Sequence, residues 1–238
     1  MILVTGGNGA LGSELKKIFP ESIIPDHNSL DITKKEDIVK YFKDHKIDTV
    51  IHAAALTKVR TCEENKDLAW KTNVLGTKNL VDVILDSKEN IKFVYISTAC
   101  VFDGNTGMYN EDSIPYPENF YALTKLVAEH EVTKIPNFLI IRTNFVPKKI
   151  WPYPKAFTDR YGTYIFAQDV AKGIQEVLRE DLSGIIHIVG DKKISMFELA
   201  KITTPEIQPM TIDEYSGPKL TMDMSLDSKR WKKYKISK

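Results

Sequence analysis

Short apolar runs alternate along this chain with stretches in which apolar residues recur every three or four positions. The runs Ile2 to Val4, Ser22 to Ile24, Thr49 to Ala53, Phe93 to Ser97, Phe138 to Arg142 and Ile185 to Val189 read as strands. Helical patterns separate them, so the chain predicts an α/β fold: a Rossmann-like, doubly wound parallel sheet with right-handed crossovers and a small C-terminal lobe. Two helix starts carry capping boxes, Thr33 with Glu36 and Ser195 with Glu198, in which hydroxyl and carboxylate satisfy free backbone amides. Pro147 to Tyr164 breaks the pattern, because the prolines of Trp151-Pro152-Tyr153-Pro154 stop regular structure. This stretch follows the strand ending at Arg142, on the side where open sheets hold ligands. It reads either as a substrate lid or as a loop packed on the sheet.

Composition narrows the setting. The 238 residues, 42% of them hydrophobic, are enough for one domain with a full core. No apolar run approaches the roughly 20 residues that span a bilayer, so no membrane partner is expected. A formal charge of +1 leaves no electrostatic footprint for nucleic acid. The basic cluster Lys229, Arg230, Lys232, Lys233, Lys235 and Lys238 reads as a solvated, fraying tail. Cys62 and Cys100 lack disulfide or zinc spacing, so a reducing cytoplasm is expected and no metal site. The chain enters an apolar strand without a basic lead-in, and no signal peptide is expected.

Two patterns carry chemistry. The block Val4-Thr5-Gly6-Gly7-Asn8-Gly9-Ala10-Leu11-Gly12 lies between a strand and a helix start. Gly6 and Gly9 would let bare amides approach a pyrophosphate, Gly12 would let the helix pack on the first strand, and the helix dipole favours the anion. Further on, Tyr121-Ala122-Leu123-Thr124-Lys125 stacks a phenol and an ammonium on one helix face. A phenol ionises near pH 10, and a neighbouring cation makes it a better acid. Such a pair in isolation is more often surface packing. Here the strand before it ends in Ser97-Thr98, where Thr98 would hold a substrate carbonyl, and His52-Ala53-Ala54-Ala55 ends another strand with small side chains that leave room for a cofactor. Together these residues describe proton donation beside a nicotinamide.

The chain resembles the extended short-chain dehydrogenase/reductases, and most of all the dTDP-4-dehydrorhamnose reductase group. The resemblance is carried by Thr5-Gly6-x-x-Gly9-x-x-Gly12, His52-Ala53-Ala54-Ala55, Asn73 in Thr72-Asn73-Val74-Leu75-Gly76-Thr77, and Ser97-Thr98-Ala99-Cys100-Val101-Phe102-Asp103-Gly104. It continues through Tyr121-x-x-x-Lys125, Arg142-Thr143 and Gln168-Asp169-Val170-Ala171. It implies a catalytic triad of Thr98, Tyr121 and Lys125, with Lys125 also holding the nicotinamide ribose. Backbone around Gly6, Asn8, Gly9, Ala10 and Leu11 would cradle the pyrophosphate, with Asp31 and Ile32 at the adenine and Ala53, Ala54 and Ala55 along the cofactor. Val59, Cys100, Phe102 and Phe145 would face the sugar. The division implied is a dinucleotide-binding core with the catalytic residues over 1–145, then 146–238 completing the sheet over about 163–190 and forming a reduced substrate lobe. Gly217 in Gly217-Pro218 stands where the family pattern has an arginine.

The implied activity is NAD(P)H-dependent reduction of the C4 keto group of a 4-keto-6-deoxy nucleotide sugar, as in dTDP-rhamnose biosynthesis. Cys100, two residues after the triad hydroxyl, raises a bifunctional 3,5-epimerase/4-reductase as an alternative, with Lys149 or Lys155 as the opposite acid. A nucleotide-binding regulatory subunit like that of methionine adenosyltransferase is a further alternative. NAD and NADP both stay open: Asp26 would bind ribose hydroxyls and favour NAD, whereas His27 and Lys34 would accept a phosphate. Analogy with the family also suggests a homodimer through the helices around Lys71 and Tyr121.

Overall fold

The computed structural model describes residues 1–237. Its first half runs β1 (Ile2–Thr5), α1 (Ala10–Ile18), α2 (Lys35–Asp44), β2 (Thr49–His52), α3 (Val59–Glu64), α4 (Lys66–Trp70) and a π-helical turn at Lys71–Leu75. Then come α5 (Gly76–Ser87), β3 (Lys92–Ile96), α6 (Phe120–Val132) and β4 (Phe138–Thr143). The second half adds the short strands β5 (Phe145–Val146), β6 (Lys155–Phe157), β7 (Tyr161–Gly162) and β8 (Ile165–Phe166), followed by α7 (Ala167–Arg179) and β9 (Gly184–Ile188). It closes with β10 (Ile194–Ser195), α8 (Met196–Thr203), β11 (Gln208–Met210) and β12 (Asp223–Met224).

The main sheet has the order β1-β2-β3-β4-β9, and every pairing in it is parallel. Its strands are apolar on both faces because each face is covered by helices. Alternation divides consecutive residues between the two layers: Leu3, Val50, Phe93 and Ile140 pack with Ile38, Leu80, Val81, Ile84 and Val132 from α2, α5 and α6. Val4, Ile51, Val94 and Ile141 pack on the other side with Leu11 and Leu15 of α1 and with Val170, Ile174 and Val177 of α7. A fully buried aliphatic side chain contributes about 1.5–3 kcal/mol, so these two layers dominate the stability of the domain. The expected doubly wound α/β sheet is present.

Three sequence expectations change. Ser22 to Ile24 is not a full strand: only Ile23 bridges to Leu3, its N–H donating to Ile2 O and its carbonyl accepting from Val4 N, both at 2.9 Å. Pro20 and Pro25 flank this stretch, and Pro25 has no N–H to continue a ladder. Thr33 and Glu36 form no capping box, since α2 starts at Lys35 and the Thr33 hydroxyl donates to Asp31 Oδ1 at 2.8 Å instead. The Ser195–Glu198 box forms as expected.

The third change concerns the basic tail, which is docked. Lys229 and Arg230 pair with Asp112, Lys232 with Glu176 and Lys233 with Asp227, while Lys238 lies outside the described residues. Trp231 and Tyr234, interleaved with the cations, pack against the α1/α7 layer, and the Tyr234 hydroxyl donates to Glu176 at 2.5 Å.

The C-terminal lobe is small. Strand β7 lies between β10 and β12, and β6 pairs with β11. The irregular stretch between β5 and β7 is tied to this lobe by Trp151, whose N–H donates to Thr204 Oγ1 at 2.8 Å, while Tyr153 stays exposed.

Candidate active site

The carboxyl ends of β1, β2 and β3 converge on the loops that the sequence singles out. After β1 the chain turns at Gly6 with φ +77°, and a Cβ there would stand 2.6 Å from Ala54 N, a distance real Cβ atoms do not tolerate. Gly9 N–H donates to Gly6 O at 3.0 Å, closing the turn, and a Cβ on Gly12 would lie 2.3 Å from the same oxygen. Gly9 caps α1 with no side chain over its amide end. An amide end left bare in a glycine turn is what a pyrophosphate requires, so the loop fits a dinucleotide.

The turn opens into a cleft of about 450 Å³ whose walls include Asn8, Asp26, Asp31, Ile32 and Ala53 to Ala55. Ala10 is exposed at the start of α1, while the Leu11 side chain is buried in the core, which leaves only its backbone to face a ligand. Asp26 accepts from Ser29 N at 2.8 Å and Ser29 Oγ at 2.7 Å, and these bonds hold its carboxyl below the ordinary aspartate value. Asp31 is nearly buried and accepts from Thr33 N and Oγ1. His27 Nε2 and Lys34 Nζ lie 3.8 and 3.7 Å from its Oδ2. Ile32 reaches from the cleft into the core and packs against Gly76.

Two residues beyond β3, Thr98 caps a short 3-10 turn, and its hydroxyl accepts from Cys100 N at 3.2 Å. Asn119 caps α6 by accepting from Ala122 N, which fixes the helix start so that Tyr121 falls in its first turn. The Tyr121 phenol stands beside the Thr98 hydroxyl, and burial pushes it above the ordinary tyrosine value. One turn on, Lys125 is 3% exposed and donates to Ile96 O at 2.8 Å, with Nζ 4.0 Å from the centre of the Tyr95 ring. Burial lowers Lys125 to about 7, against an opposing pull from Glu129. The structure therefore puts Thr98 beside Tyr121 and Lys125 one helical turn further on, tied to Ile96 O, with the phenol protonated and the amine near its titration point at neutral pH.

Behind the triad stands buried scaffolding. His52 sits between two threonines: Thr77 donates its hydroxyl to Asn73 O at 2.7 Å and so accepts from His52 Nε2 at 3.0 Å, leaving Nδ1 to accept from Thr5 at 2.6 Å. Burial, with Lys125 adding to it, lowers His52 to about 3, so the ring is neutral. Asn73, in the π-helical turn, accepts from Leu56 N and donates to Leu56 O and to Thr124 Oγ1. It thereby ties the loop after β2 to the catalytic helix, a use that suits the extra residue of a π turn. The motif around Asn73 is visible in the sequence, but this bridging is not.

The residues expected at the sugar are placed unevenly. Val59, at the start of α3, and Cys100 belong to the apolar cluster that includes Tyr121, Tyr164 and Met224. Cys100 Sγ contacts Met224 Sδ at 3.4 Å. Neither lysine suspected as its opposite acid joins it: Lys155 is exposed and pairs with Glu214 at 2.6 Å, and Lys149 is exposed. Phe102 departs from expectation, because it is fully buried, stacked on Tyr109 at 4.5 Å with the Arg142 guanidinium 5.2 Å from its ring centre. Phe145, in β5, is partly buried against the α1/α7 layer. Nearby, the buried Tyr164 hydroxyl and Asn144 Nδ2 approach each other without a well-formed hydrogen bond.

Residues 1–149 match the family described as RmlD substrate binding domain. The chain belongs to this family. Among relatives of this RmlD-family chain is the probable low-salt glycan biosynthesis reductase Agl14 of Haloferax volcanii, 30% identical over 227 residues, covering 81% of this chain and 75% of that protein. Another is the dTDP-4-dehydrorhamnose reductase of Aggregatibacter actinomycetemcomitans, 27% identical over 227 residues, covering 84% of this chain and 76% of that one. Among solved structures, dTDP-4-dehydrorhamnose reductase from Bacillus anthracis in complex with NADP superposes with a TM-score of 0.86 at 26% identity, covering 95% of this chain and 89% of that one. The small C-terminal lobe thus still lies within the shared RmlD-family architecture. Among the described residues no helix is long and apolar enough to cross a membrane, and no cluster of His, Cys, Asp and Glu could hold a metal ion.

Proposed function

We propose that this protein is an NAD(P)H-dependent reductase of the C4 keto group of a 4-keto-6-deoxy nucleotide sugar, acting in the cytoplasm on a substrate of the dTDP-4-dehydrorhamnose kind. The observation that carries the reading is the placement of Thr98, Tyr121 and Lys125 beside a glycine turn and alanine-walled cleft that fit a dinucleotide. Residues 1–145 supply the dinucleotide-binding core with the catalytic groups, and 146–238 complete the sheet and cover the sugar. The glycine turn and Ala53 to Ala55 would hold a reduced nicotinamide dinucleotide, which would supply the hydride for C4.

Tyr121 donates its proton to the C4 oxygen as negative charge develops there. The Thr98 hydroxyl, beside that phenol, is the second group that would hold the C4 oxygen. The phenolate left behind is stabilised by the Thr98 hydroxyl and by the Lys125 ammonium one turn away, and then regains a proton from solvent. Burial, by raising Tyr121, keeps the acid loaded at neutral pH. Gly6, Asn8, Gly9, Ala10 and Leu11 offer backbone to the pyrophosphate, Asp26, Asp31 and Ile32 border the adenosine, and Val59, Cys100 and Phe145 lie toward the sugar.

The test is loss of NADH or NADPH absorbance with dTDP- and UDP-linked 4-keto-6-deoxy sugars, each with and without a separate 3,5-epimerase. Oxidation that depends on the epimerase supports a simple 4-reductase. Oxidation without it, yielding an epimerised product, contradicts that form of the reading. Tyr121→Phe is expected to lower turnover by roughly 10²–10⁴-fold with cofactor affinity nearly unchanged; turnover at the wild-type rate would overturn the acid role.

A further inference from the structure

Two consecutive residues of β3 receive the Lys125 side chain. The Ile96 carbonyl accepts from Nζ at 2.8 Å, and Tyr95 sets the face of its ring beneath Nζ, 4.0 Å from the ring centre. Packing fixes that ring: Tyr95 is 1% exposed and shares one apolar layer with Leu80 and Val81 of α5 and with Ala128 and Val132 of α6. Its hydroxyl, toward Thr77, is buried without a well-formed hydrogen bond, so no polar tie accounts for where the ring sits.

An ammonium removed from water needs a partner that favours its charge. Among the described residues no carboxylate pairs with Lys125 Nζ. Glu129, one turn on along α6, favours the charged amine, but its carboxylate is held by Arg142 of β4 at 2.7 Å and by Ser97, so the pair presents little net charge. His52 of β2 faces the amine as a neutral ring, and burial keeps the Tyr95 phenol protonated. What is left to favour the cation is the face of the Tyr95 ring. That face is the negative end of the ring's quadrupole, and it attracts a cation most strongly where water is excluded.

We propose that Tyr95 is a positioning residue: the face of its ring holds Lys125 in the ammonium form and against Ile96 O, in place of the counter-charge that the buried site lacks. Its consequence for catalysis rests on the proposed function, in which that ammonium stabilises the Tyr121 phenolate. Its effect on the amine does not, and can be read without substrate or cofactor.

The experiment is an NMR pH titration of the full chain, isotope-labelled at lysine Cε, in which the Lys125 signal is the one missing from Lys125→Met. Tyr95→Leu removes the ring but keeps an apolar neighbour, so the amine stays buried. Tyr95→Phe keeps the ring and gives up only a hydroxyl without a well-formed bond. The Lys125 midpoint is expected to fall by about 0.5–1.5 pH units in Tyr95→Leu, roughly 3- to 30-fold in the stability of the ammonium, and to stay near that of wild type in Tyr95→Phe. Trifluorophenylalanine at position 95 keeps the shape of the ring while drawing charge from its face, and should lower the midpoint as leucine does. It decides the matter if the melting temperature shows that Tyr95→Leu is not folded. The falling limb of kcat/KM with the keto sugar should move by the same amount as the midpoint. A midpoint in Tyr95→Leu or the fluorinated variant at or above that of Tyr95→Phe overturns the role of Tyr95 and leaves the reductase reading standing. A lowered midpoint, in a protein whose wild type oxidises neither NADH nor NADPH with any keto sugar, supports the role of the ring and overturns the reductase reading.

Discussion

Glu129 and Arg142 form an ion pair at 2.7 Å beneath the catalytic helix, with side chains only 5% and 3% exposed. Arg142 also donates from Nε to Glu129 Oε1 at 3.0 Å, and Ser97 donates to the same oxygen at 2.5 Å. Ser97 stands between Ile96, whose carbonyl accepts from Lys125, and Thr98. One carboxylate thus joins α6, which carries Tyr121 and Lys125, to β4 and to the residue that precedes Thr98. Removing one member of a buried pair leaves the other charged and uncompensated. Glu129→Gln is expected to cost about 3–5 kcal/mol in urea unfolding, and Arg142→Met should do the same. A change below about 1 kcal/mol, the scale of an exposed pair, would show that the pair does not brace the site.

In the proposed mechanism the charge on Lys125 sets the pH dependence of the reaction. Its neighbours are Glu129 on its own helix, the Tyr95 ring on β3 and the neutral His52 on β2. Burial lowers the amine to about 7, so the ammonium that stabilises the phenolate is present below that value and lost above it. The ratio kcat/KM should therefore fall as pH rises through about 7 in the free enzyme. Glu129→Gln removes the charge that favours the ammonium and should move the falling limb to lower pH. The effect on stability has the opposite sign. Between about 7 and the ordinary lysine value of 10.5 the unfolded chain binds the proton that the folded one has lost, so this group favours folding progressively as pH rises. Lys125→Met should flatten that part of the melting-temperature profile, and a profile identical to wild type would contradict the shift.

What can be read before folding is what depends on short spacing. The glycine turn and the Tyr121–Lys125 pair each fit within a few residues, and helix or strand geometry then fixes the relative positions. Long-range partnerships leave no such signal. Glu129 and Arg142 are 13 residues apart on different elements, and Arg160 and Met224 are 64 apart. Glu129 has one local cue, its place four residues after Lys125, yet a carboxylate there is equally suited to an exposed helix face. Thr33 and Phe102 mislead for the same reason: Asp31 captures the threonine hydroxyl meant for a cap, and Tyr109 and Arg142 enclose the phenylalanine meant for a ligand.

Gly6 admits no side chain. Its φ of +77° is costly for any residue with a Cβ, and that Cβ would stand 2.6–2.7 Å from backbone atoms of Ala53 and Ala54, which cannot rotate away. Gly6→Ala is expected to lose at least about 1–2 kcal/mol of stability from the backbone conformation alone, the cost of the left-handed region, and to weaken NADP⁺ binding by displacing the turn. Gly184 is the matched control: it has φ +84°, and a Cβ there would meet nothing within 4 Å, so Gly184→Ala should carry the conformational cost without the loss of cofactor. Equal effects of the two substitutions on NADP⁺ affinity would remove the turn from the binding site.

Cys100 separates reduction from epimerisation. Its sulfur rests on Met224 rather than beside a base, and the two lysines suited by sequence position to be its opposite acid are exposed. Cys100→Ala removes a small apolar contact and should leave turnover of a pre-epimerised substrate within several-fold of wild type. Incubation in deuterated water should place no deuterium at C3 or C5 of the product with either protein. Label that appears with wild type and vanishes with Cys100→Ala would establish the thiol as a base.

Cofactor preference turns on Asp26. Ser29 holds its carboxyl in the charged form, and it faces the cleft where the adenosine ribose of a dinucleotide belongs. A carboxylate there accepts from ribose hydroxyls and repels a 2′-phosphate. The two side chains that would meet a 2′-phosphate, His27 and Lys34, both lie within 4 Å of Asp31. NADH should therefore give the higher kcat/KM in the free competition of the two coenzymes. Asp26→Ser keeps a hydroxyl for the turn while removing the charge, and should raise kcat/KM for NADPH relative to NADH. Lys34→Ala should lower activity with NADPH more than with NADH if the lysine swings from Asp31 to the phosphate. An unchanged NADPH-to-NADH ratio in Asp26→Ser would mean that the ribose lies beyond reach of this carboxylate.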